Sequence, residues 1–168
     1  TGNFKIGDTL TEGEVLNYQG IPSFSPEIFK ELINLDPMKA KQLEKGIDQL
    51  TDEGVAQLFL QPQLGNRKIV GTVGELQYEV IQYRLEHEYG AKCTYENFPA
   101  YKACWVLPDD PKNEEFKEFK RVKQKFLGHD KHGQLVFLAD SEFSIQMTNQ
   151  KYPSVKLYYT SDYHKNEN

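Results

Sequence analysis

The sequence predicts an α+β protein made of two consecutive split βαβ (ferredoxin-like) α/β sandwich subdomains, preceded by a short β remnant. Segments with apolar residues at helical spacing alternate with strand-like segments, and the order β-α-β-β-α-β occurs twice along the chain. That order is typical of a four-stranded antiparallel sheet with two helices on one face. We therefore expect subdomains at residues 22–97 and 98–168, after a β remnant and linker at residues 1–21.

The first helix of the first subdomain has a clear start. Asp36 is a good N-cap and Pro37 suits the first helical position. Apolar residues then recur three and four positions apart, which predicts one buried face that ends near Gly54. These residues are Ala40, Leu43, Ile47 and Leu50. The preceding segment, residues 28–33, fits a strand or a helix equally well.

The rest of the first subdomain is predicted as two strands, a long helix and a strand. Residues 55–61 and 68–73 are strand-like and are joined by a Gly65-Asn66 turn. The helix, residues 74–89, has apolar strips on two opposite sides, and residues 91–95 follow as a strand. One strip comprises Leu76, Val80 and Tyr83, and the other comprises Tyr78, Ile81, Leu85 and Tyr89. Because a helix that is apolar all round is covered on both sides, we expect one strip to face its own sheet and the other to face a neighbouring domain.

The second subdomain repeats the order of elements. We expect a strand at residues 102–107, a helix at 112–120, a hairpin of strands at 121–127 and 134–138, and a helix at 141–150. A last strand covers residues 155–160. The turn of the hairpin is flanked by glycines.

Composition excludes several classes of protein. Apolar residues make up 38% of the chain and charged residues 27%, and apolar runs such as residues 104–107 are far shorter than the roughly 20 residues that span a bilayer. The first residues lack the basic, apolar and small-residue succession of a secretory signal, so we expect none there. Because the chain begins with Thr1 rather than Met, we expect it to be a cut or processed piece. Cys93 and Cys104 have no CxxC partner, so we expect two reduced core thiols.

No residue pattern predicts catalysis or a bound cofactor. The chain lacks the Gly-rich loop with a Lys-Ser/Thr pair that holds nucleotide phosphates. His129 and His132 have no cysteine pair or carboxylate cluster nearby in sequence that would complete a zinc site. We therefore expect no catalytic, cofactor-binding or metal-binding residue in these 168 positions.

Charge favours the second half as a contact surface. The net charge is −5, but residues 1–97 hold 9 Lys/Arg against 15 Asp/Glu, whereas residues 98–168 hold 11 against 10. In the predicted strand at 121–127, alternate residues share one face and are cationic. Two histidines lie in the following turn. The candidate contact residues are Lys120, Arg121, Lys123, Lys125, His129, Lys131 and His132. Lysines on an edge strand also block aggregation, so protection of the edge and contact with RNA both stay open.

One phrase resembles a known family. Residues 71–80, Gly-Thr-Val-Gly-Glu-Leu-Gln-Tyr-Glu-Val, are similar to the G-x-x-GELHLE stretch in the third domain of elongation-factor-G-like translational GTPases. The helix at residues 41–54 and the phrase at residues 6–10 have the matching context, the latter resembling the end of a β-barrel domain. Within that superfamily, further stretches resemble the bacterial peptide chain release factor of class II. They are residues 22–29, 57–60, 73–80 followed by 84–85, and 144–153.

The resemblance implies a longer parent in the cytoplasm. Its N-terminal domain would bind GTP or GDP with Mg²⁺, and only the last strand of its β-barrel domain would lie in this chain. The implied partners are the ribosome, through rRNA and ribosomal protein, and indirectly the class I release factors, whose dissociation and recycling the parent promotes. No membrane is implied. The chain itself would be no enzyme, because none of the family's nucleotide or magnesium residues has a counterpart here.

The resemblance also implies that one helix packs a domain on its neighbour. The expected packing residues are Gly74, Glu75, Leu76, Tyr78, Ile81 and Leu85. Gln77-Tyr78 replaces the His-Leu of the elongation-factor phrase, which favours the release-factor branch. Two alternatives stay open: a fragment of another translational GTPase, of translocase or ribosome-protection type, and a stand-alone RNA-binding split βαβ protein. An initiator Met directly before Thr1 would favour the second alternative.

Overall fold

The computed structural model describes residues 25–161 and contains the β-α-β-β-α-β order twice. The predicted β remnant at residues 1–21 lies outside the described residues. The elements of the first half are β1 (Ile28–Asn34), α1 (Ala40–Asp52), β2 (Gln57–Gln61), β3 (Arg67–Thr72), α2 (Glu75–Tyr89) and β4 (Cys93–Asn97). Those of the second half are β5 (Lys102–Pro108), α3 (Glu114–Val122), β6 (Leu127–His129), β7 (Leu135–Ala139), α4 (Glu142–Lys151) and β8 (Val155–Tyr158).

All eight strands form one antiparallel sheet in the order β4-β1-β3-β2-β6-β7-β5-β8. Each half has the strand order of a split βαβ unit, so the predicted fold class is confirmed. The continuous sheet was not predicted. It arises where β2 meets β6, which pair at a single position, Leu60 with His129. The division into subdomains at residues 22–97 and 98–168 stays a prediction.

Local sequence explains how the first half begins. The ambiguous segment is the strand β1, and it pairs with β3 on one side and β4 on the other. The Asp36 carboxylate accepts a hydrogen bond from the backbone N–H of Met38 at 3.1 Å. It thereby caps a 3₁₀ turn, Pro37–Lys39, that leads into α1. The predicted β2–β3 turn is also present, since Gly65 and Asn66 have φ of 78° and 56°, in the left-handed region that glycine and asparagine tolerate.

The predicted strand at residues 121–127 is wrong. Arg121 belongs to the last turn of α3, Lys123 ends that helix, and Lys125 lies in a 3₁₀ turn, Gln124–Phe126. Only Leu127–His129 forms a strand. The helix starts at Asn113, whose side chain accepts a hydrogen bond from the Phe116 N–H at 2.7 Å. Alternation of Arg121, Lys123 and Lys125 on one face of a strand is therefore excluded.

Three apolar cores hold the sheet and helices together. One lies between the helices and strands of the first half and another between those of the second half. The third, the central core, combines residues from strands of both halves. Its buried members are Phe29, Phe59, Ile69, Ala103, Trp105, Val136 and Leu138. Because successive strand residues point to opposite faces, these side chains lie on the face of the sheet away from the helices.

The central core packs one half against the other. The rings of Phe59 and Trp105 meet edge to face with centroids 6.0 Å apart, and Phe29 lies 6.2 Å from Phe59. The Trp105 indole Nε1–H donates a hydrogen bond to Asp130 Oδ2 at 3.0 Å, so this buried ring has its polar atom satisfied. Cys93 and Cys104 are buried free thiols, as the sequence predicts. Across residues 25–161 the helices are all too short or too polar to cross a membrane.

Phe59→Ala should destabilise the whole chain in one step. Phe59 is fully buried in the central core, so the truncation leaves a cavity and should cost about 3–5 kcal/mol. Urea denaturation followed by far-UV circular dichroism and by the fluorescence of the only tryptophan, Trp105, should give coincident transitions at a lower midpoint. Leu35→Ala, at a side chain that is 57% exposed, is the matched control. Two separate transitions would contradict a shared core.

A charged contact ties the end of α1 to α2. Arg84 Nη1 lies 2.6 Å from Glu53 Oε1, and Arg84 Nε lies 2.9 Å from Glu88 Oε2. The hydrogen bonds from Arg84, and then from Gln49, lower the pKa of Glu53 to about 2 from an ordinary value of 4.5. This contact therefore stabilises the fold above pH 4.5, and its contribution is lost as the pH falls towards 2.

Glu53→Gln should remove part of the acid sensitivity of the chain. The variant should be less stable than the parent at neutral pH, and the difference should shrink as the pH falls from 4.5 towards 2. Urea midpoints measured across that range test it. Glu44→Gln neutralises an exposed carboxylate on the same helix that makes no described ion pair, and it should leave the pH profile unchanged. A constant gap between Glu53→Gln and the parent would refute the argument.

Candidate functional site

Four of the predicted contact residues lie close together along the chain, between residues 120 and 125 at the end of α3. Lys120 and Arg121 lie in the last turn of α3, Lys123 ends the helix, and Lys125 lies in the 3₁₀ turn that follows. We call these four residues the cationic turn. Lys120, Arg121 and Lys125 are exposed and Lys123 is half-buried. The end of a helix carries partial negative charge, which favours cations at this place.

The charges of the cationic turn are not neutralised by neighbouring carboxylates. Over residues 25–161, the ion pairs within 4 Å do not include any of its four side chains. The Lys120 ammonium lies 4.5 Å from the centroid of the Phe116 ring, and Lys123 lies 5.9 Å from that of Phe137. Both rings belong to the core of the second half. Packing on these rings orients the lysines without cancelling their charge.

The first half of the chain holds the backbone of the cationic turn. Gln61 at the end of β2 is fully buried, and its Nε2 donates to the carbonyl oxygens of Lys125 at 3.2 Å and Leu127 at 3.0 Å. The exposed Gln63 donates to the same Leu127 oxygen at 3.0 Å. These two glutamines carry no signal in a sequence pattern, because their partners lie more than 60 positions away.

The predicted contact residues His129 and His132 lie outside the cationic turn, after it in the chain. His129 is a half-buried strand residue opposite Leu60 and does not lie at the tip of a hairpin. His132 is exposed in the turn. Asp130, which is buried, organises that turn by accepting hydrogen bonds from the backbone N–H groups of His132 and Gln134, both at 2.9 Å. His129 and His132 therefore belong to a different part of the fold's framework from the cationic turn, and their role as contact residues stays a prediction.

Lys131 connects the two halves through ion pairs with carboxylates of α1. Its Nζ lies 3.2 Å from Asp48 Oδ1 and 2.9 Å from Thr51 Oγ1, and it also forms an ion pair with Asp52. Partial burial would lower the pKa of Lys131, but the hydrogen bonds that its ammonium donates to Asp52 and Asp48 outweigh this effect and raise it. The charge of Lys131 is therefore paired with carboxylates of α1, and a contact of Lys131 with a partner stays a prediction.

The predicted packing residues of α2 divide into two groups. Tyr78, Ile81 and Leu85 are at most 3% exposed and belong to the core of their own half, so they do not provide a surface for a neighbouring domain. The Tyr78 hydroxyl donates to the carbonyl oxygen of Val70 at 2.6 Å and lies 2.9 Å from that of Ile28, and burial raises its pKa to about 12. This part of the prediction is wrong, since these three side chains fill the space between α2 and the sheet.

The opposite side of α2 is open and apolar. Val73, Leu76 and Tyr83 are 62–71% exposed, and Val80 is 38% exposed. We call these four residues the outer strip. Next to it, Glu75 forms an ion pair with Lys30 at 2.9 Å, so this residue fastens the start of α2 to β1. The prediction that α2 has apolar residues on two opposite sides is confirmed. The expectation that a neighbouring domain covers the outer strip stays a prediction.

The second half repeats this exposure at the same helical positions, and this repeat was not predicted from the sequence. Gly74 and Ser141 are the N-caps of α2 and α4. Leu76 and Phe143 are the second residues of the two helices, and both are at least 66% exposed. The sixth residues, Val80 and Met147, are also exposed. Alignment of the two helices at their N-caps, instead of a search for identical residues, could have shown this repeat.

A comparison with protein-family models identifies the chain. The model described as class II release factor RF3, C-terminal domain, matches residues 18–149. The matched region contains the cationic turn, the outer strip of α2 and the whole seam between the two halves. It also confirms the resemblance found in the sequence and places the chain in translation termination. The chain belongs to the class II release factor RF3 family, of which it contains the C-terminal domain.

Proposed function

We propose that this region is the ribosome-contacting arm of a cytoplasmic release-factor GTPase that promotes the dissociation and recycling of class I release factors. GTP or GDP and Mg²⁺ would be bound by an N-terminal domain of the same parent, beyond a β-barrel domain. The family assignment supports a role in termination. The observation that carries a ribosome contact is the cationic turn, whose four charges are uncompensated in an acidic chain.

The proposal requires an arm that moves as a unit. The nucleotide shifts the position of this region only if it binds one of the two states better, and the ribosome affinity then depends on the nucleotide only if the ribosome contacts differ between those states. The central core and the continuous sheet join both halves, so the outer strip on α2 and the cationic turn after α3 belong to one packed body. The outer strip would receive the neighbouring domain, and the cationic turn would meet rRNA phosphates or a ribosomal protein.

The chemistry of the cationic turn suits phosphate. Lysine and arginine side chains that neutralise phosphates release counterions from the nucleic acid, so binding weakens steeply as salt increases. The guanidinium of Arg121 can bind two phosphate oxygens at once, and the lysines act as point charges around it. Because the backbone of the turn is fixed by Gln61, little ordering of the main chain is needed on contact.

Charge reversal in the cationic turn should weaken ribosome binding by the full-length parent. The triple variant Lys120→Glu, Arg121→Glu and Lys125→Glu should bind ribosomes at least about tenfold more weakly near 0.1 M salt, because about three phosphate contacts are lost. The slope of log K against log salt should fall by roughly 2–3. Affinity measured by sedimentation or filter binding across a salt series tests both results.

The control variant has the same change in net charge at three lysines outside the cationic turn. Lys39, Lys92 and Lys112 are exposed and outside the described ion pairs, so their triple change to glutamate should reduce affinity much less. Equal effects of the two triple variants would assign the loss to net charge, and an unchanged affinity of the first variant would refute the contact.

Polar substitution of the outer strip should uncouple the arm from nucleotide state. Leu76→Asp with Tyr83→Asp changes two exposed side chains, so the stability of this chain should change by about 0.5 kcal/mol or less per site. In the full-length parent, the ratio of ribosome affinities with a GTP analogue and with GDP should fall towards one. Leu35→Asp, also at an exposed leucine, is the control. Retention of the full ratio in the double variant would exclude the outer strip as the domain contact.

A further inference from the structure

A groove separate from both proposed contact surfaces lies beside α1. It is bounded by α1 and by the β2–β3 hairpin, and its volume is about 840 Å³. That volume lies within the range of roughly 300–1,000 Å³ that is usual for binding sites. None of its lining residues belongs to the cationic turn or to the outer strip.

The floor of the groove is apolar. Leu58 and Leu60 of β2 point to the helix-bearing face of the sheet, because Phe59 between them points into the central core. Ile47 of α1 and Pro62 complete the floor. Leu58 and Leu60 are only half-buried, so α1 does not cover this end of the sheet. Apolar surface therefore remains available to a partner.

The rim of the groove is cationic. Lys41 and Lys45 lie one turn apart on α1, and Lys68 of β3 is paired in register with Leu60, which places it beside the floor. In the described part of the chain these three lysines have no carboxylate within 4 Å. Two acidic residues share the same wall of α1, but Asp48 is paired with Lys131. Glu44 is the remaining carboxylate, so the groove has an excess of positive charge.

We propose that this groove binds an acidic segment of a partner protein. Apolar side chains of the segment would cover Leu58, Leu60 and Pro62, and its Asp or Glu side chains would meet Lys41, Lys45 and Lys68. RNA fits this groove less well, because the lining offers no Phe, Tyr or Trp on which a base could stack. Inorganic phosphate could meet the lysines but would leave the apolar floor in water. The proposal does not depend on ribosome binding by the cationic turn.

Fluorescence anisotropy with the full 168-residue chain tests the proposal. The probe is a labelled nine-residue peptide of alternating leucine and glutamate. Because the chain has a net charge of −5, its overall charge repels this acidic peptide. Binding must therefore come from a local cationic site. We expect saturable binding that weakens with salt. Lys45→Glu with Lys68→Glu should weaken it about tenfold or more, whereas Lys92→Glu with Lys112→Glu should weaken it much less.

Three further probes separate the possible occupants. A peptide with serine in place of leucine should bind at least several-fold more weakly, because it cannot cover the floor. The leucine–lysine counterpart should not bind at the groove. Labelled oligouridylate tests the RNA alternative. Absence of binding by the acidic peptide, equal loss in the two double variants, or oligouridylate binding that Lys45→Glu with Lys68→Glu abolishes would each overturn the proposal. Circular dichroism of each variant shows that the fold is retained.

Discussion

The fold depends on burying both faces of its central strands. Residues on one face of β1, β3, β5 and β7 pack under helices, and their neighbours on the other face meet in the central core around Phe59 and Trp105. A sheet with helices on one face alone would leave those second-face side chains in water, at a cost of about 25 cal/mol per Å² of apolar surface. Packing of the two halves against each other removes this cost, and so the two split βαβ units become a single body.

The same packing decides where the charged groups lie. At the seam, β2 and β6 share one paired position, and a Cβ at Gly128 would lie 2.8 Å from the carbonyl oxygen of Leu60, so only glycine allows this approach. Gln61 then reaches the carbonyl groups that follow α3. Lys131 crosses back to the carboxylates of α1. The position of the cationic turn is therefore set by the first half, although its charges come from the second.

The sequence predicted features that depend on residues close together along the chain, and it failed where the partners are far apart along the chain. Helical spacing identified α1 and α2, because each signal lies within one element. The segment 121–127 satisfies a strand-like alternation, yet its first residues continue the helix that Asn113 starts, and a period of two cannot reveal this. The ion pair of Lys131 could not be predicted, because its partner Asp52 lies 79 positions away. The positive charge of the second half was predictable from composition, whereas the glutamine contacts that hold the cationic turn required the tertiary structure.

The two split βαβ units share one arrangement of elements but differ in the surfaces that they expose. In each, the second helix starts after an extended N-cap and exposes an apolar pair at its second and sixth positions, Leu76 with Val80 and Phe143 with Met147. Only the first unit extends this pair into a longer strip, through Val73 and Tyr83, and only the second carries the cationic turn. One core packs both units together, so a domain that docked on the outer strip would limit where the cationic turn could make contact.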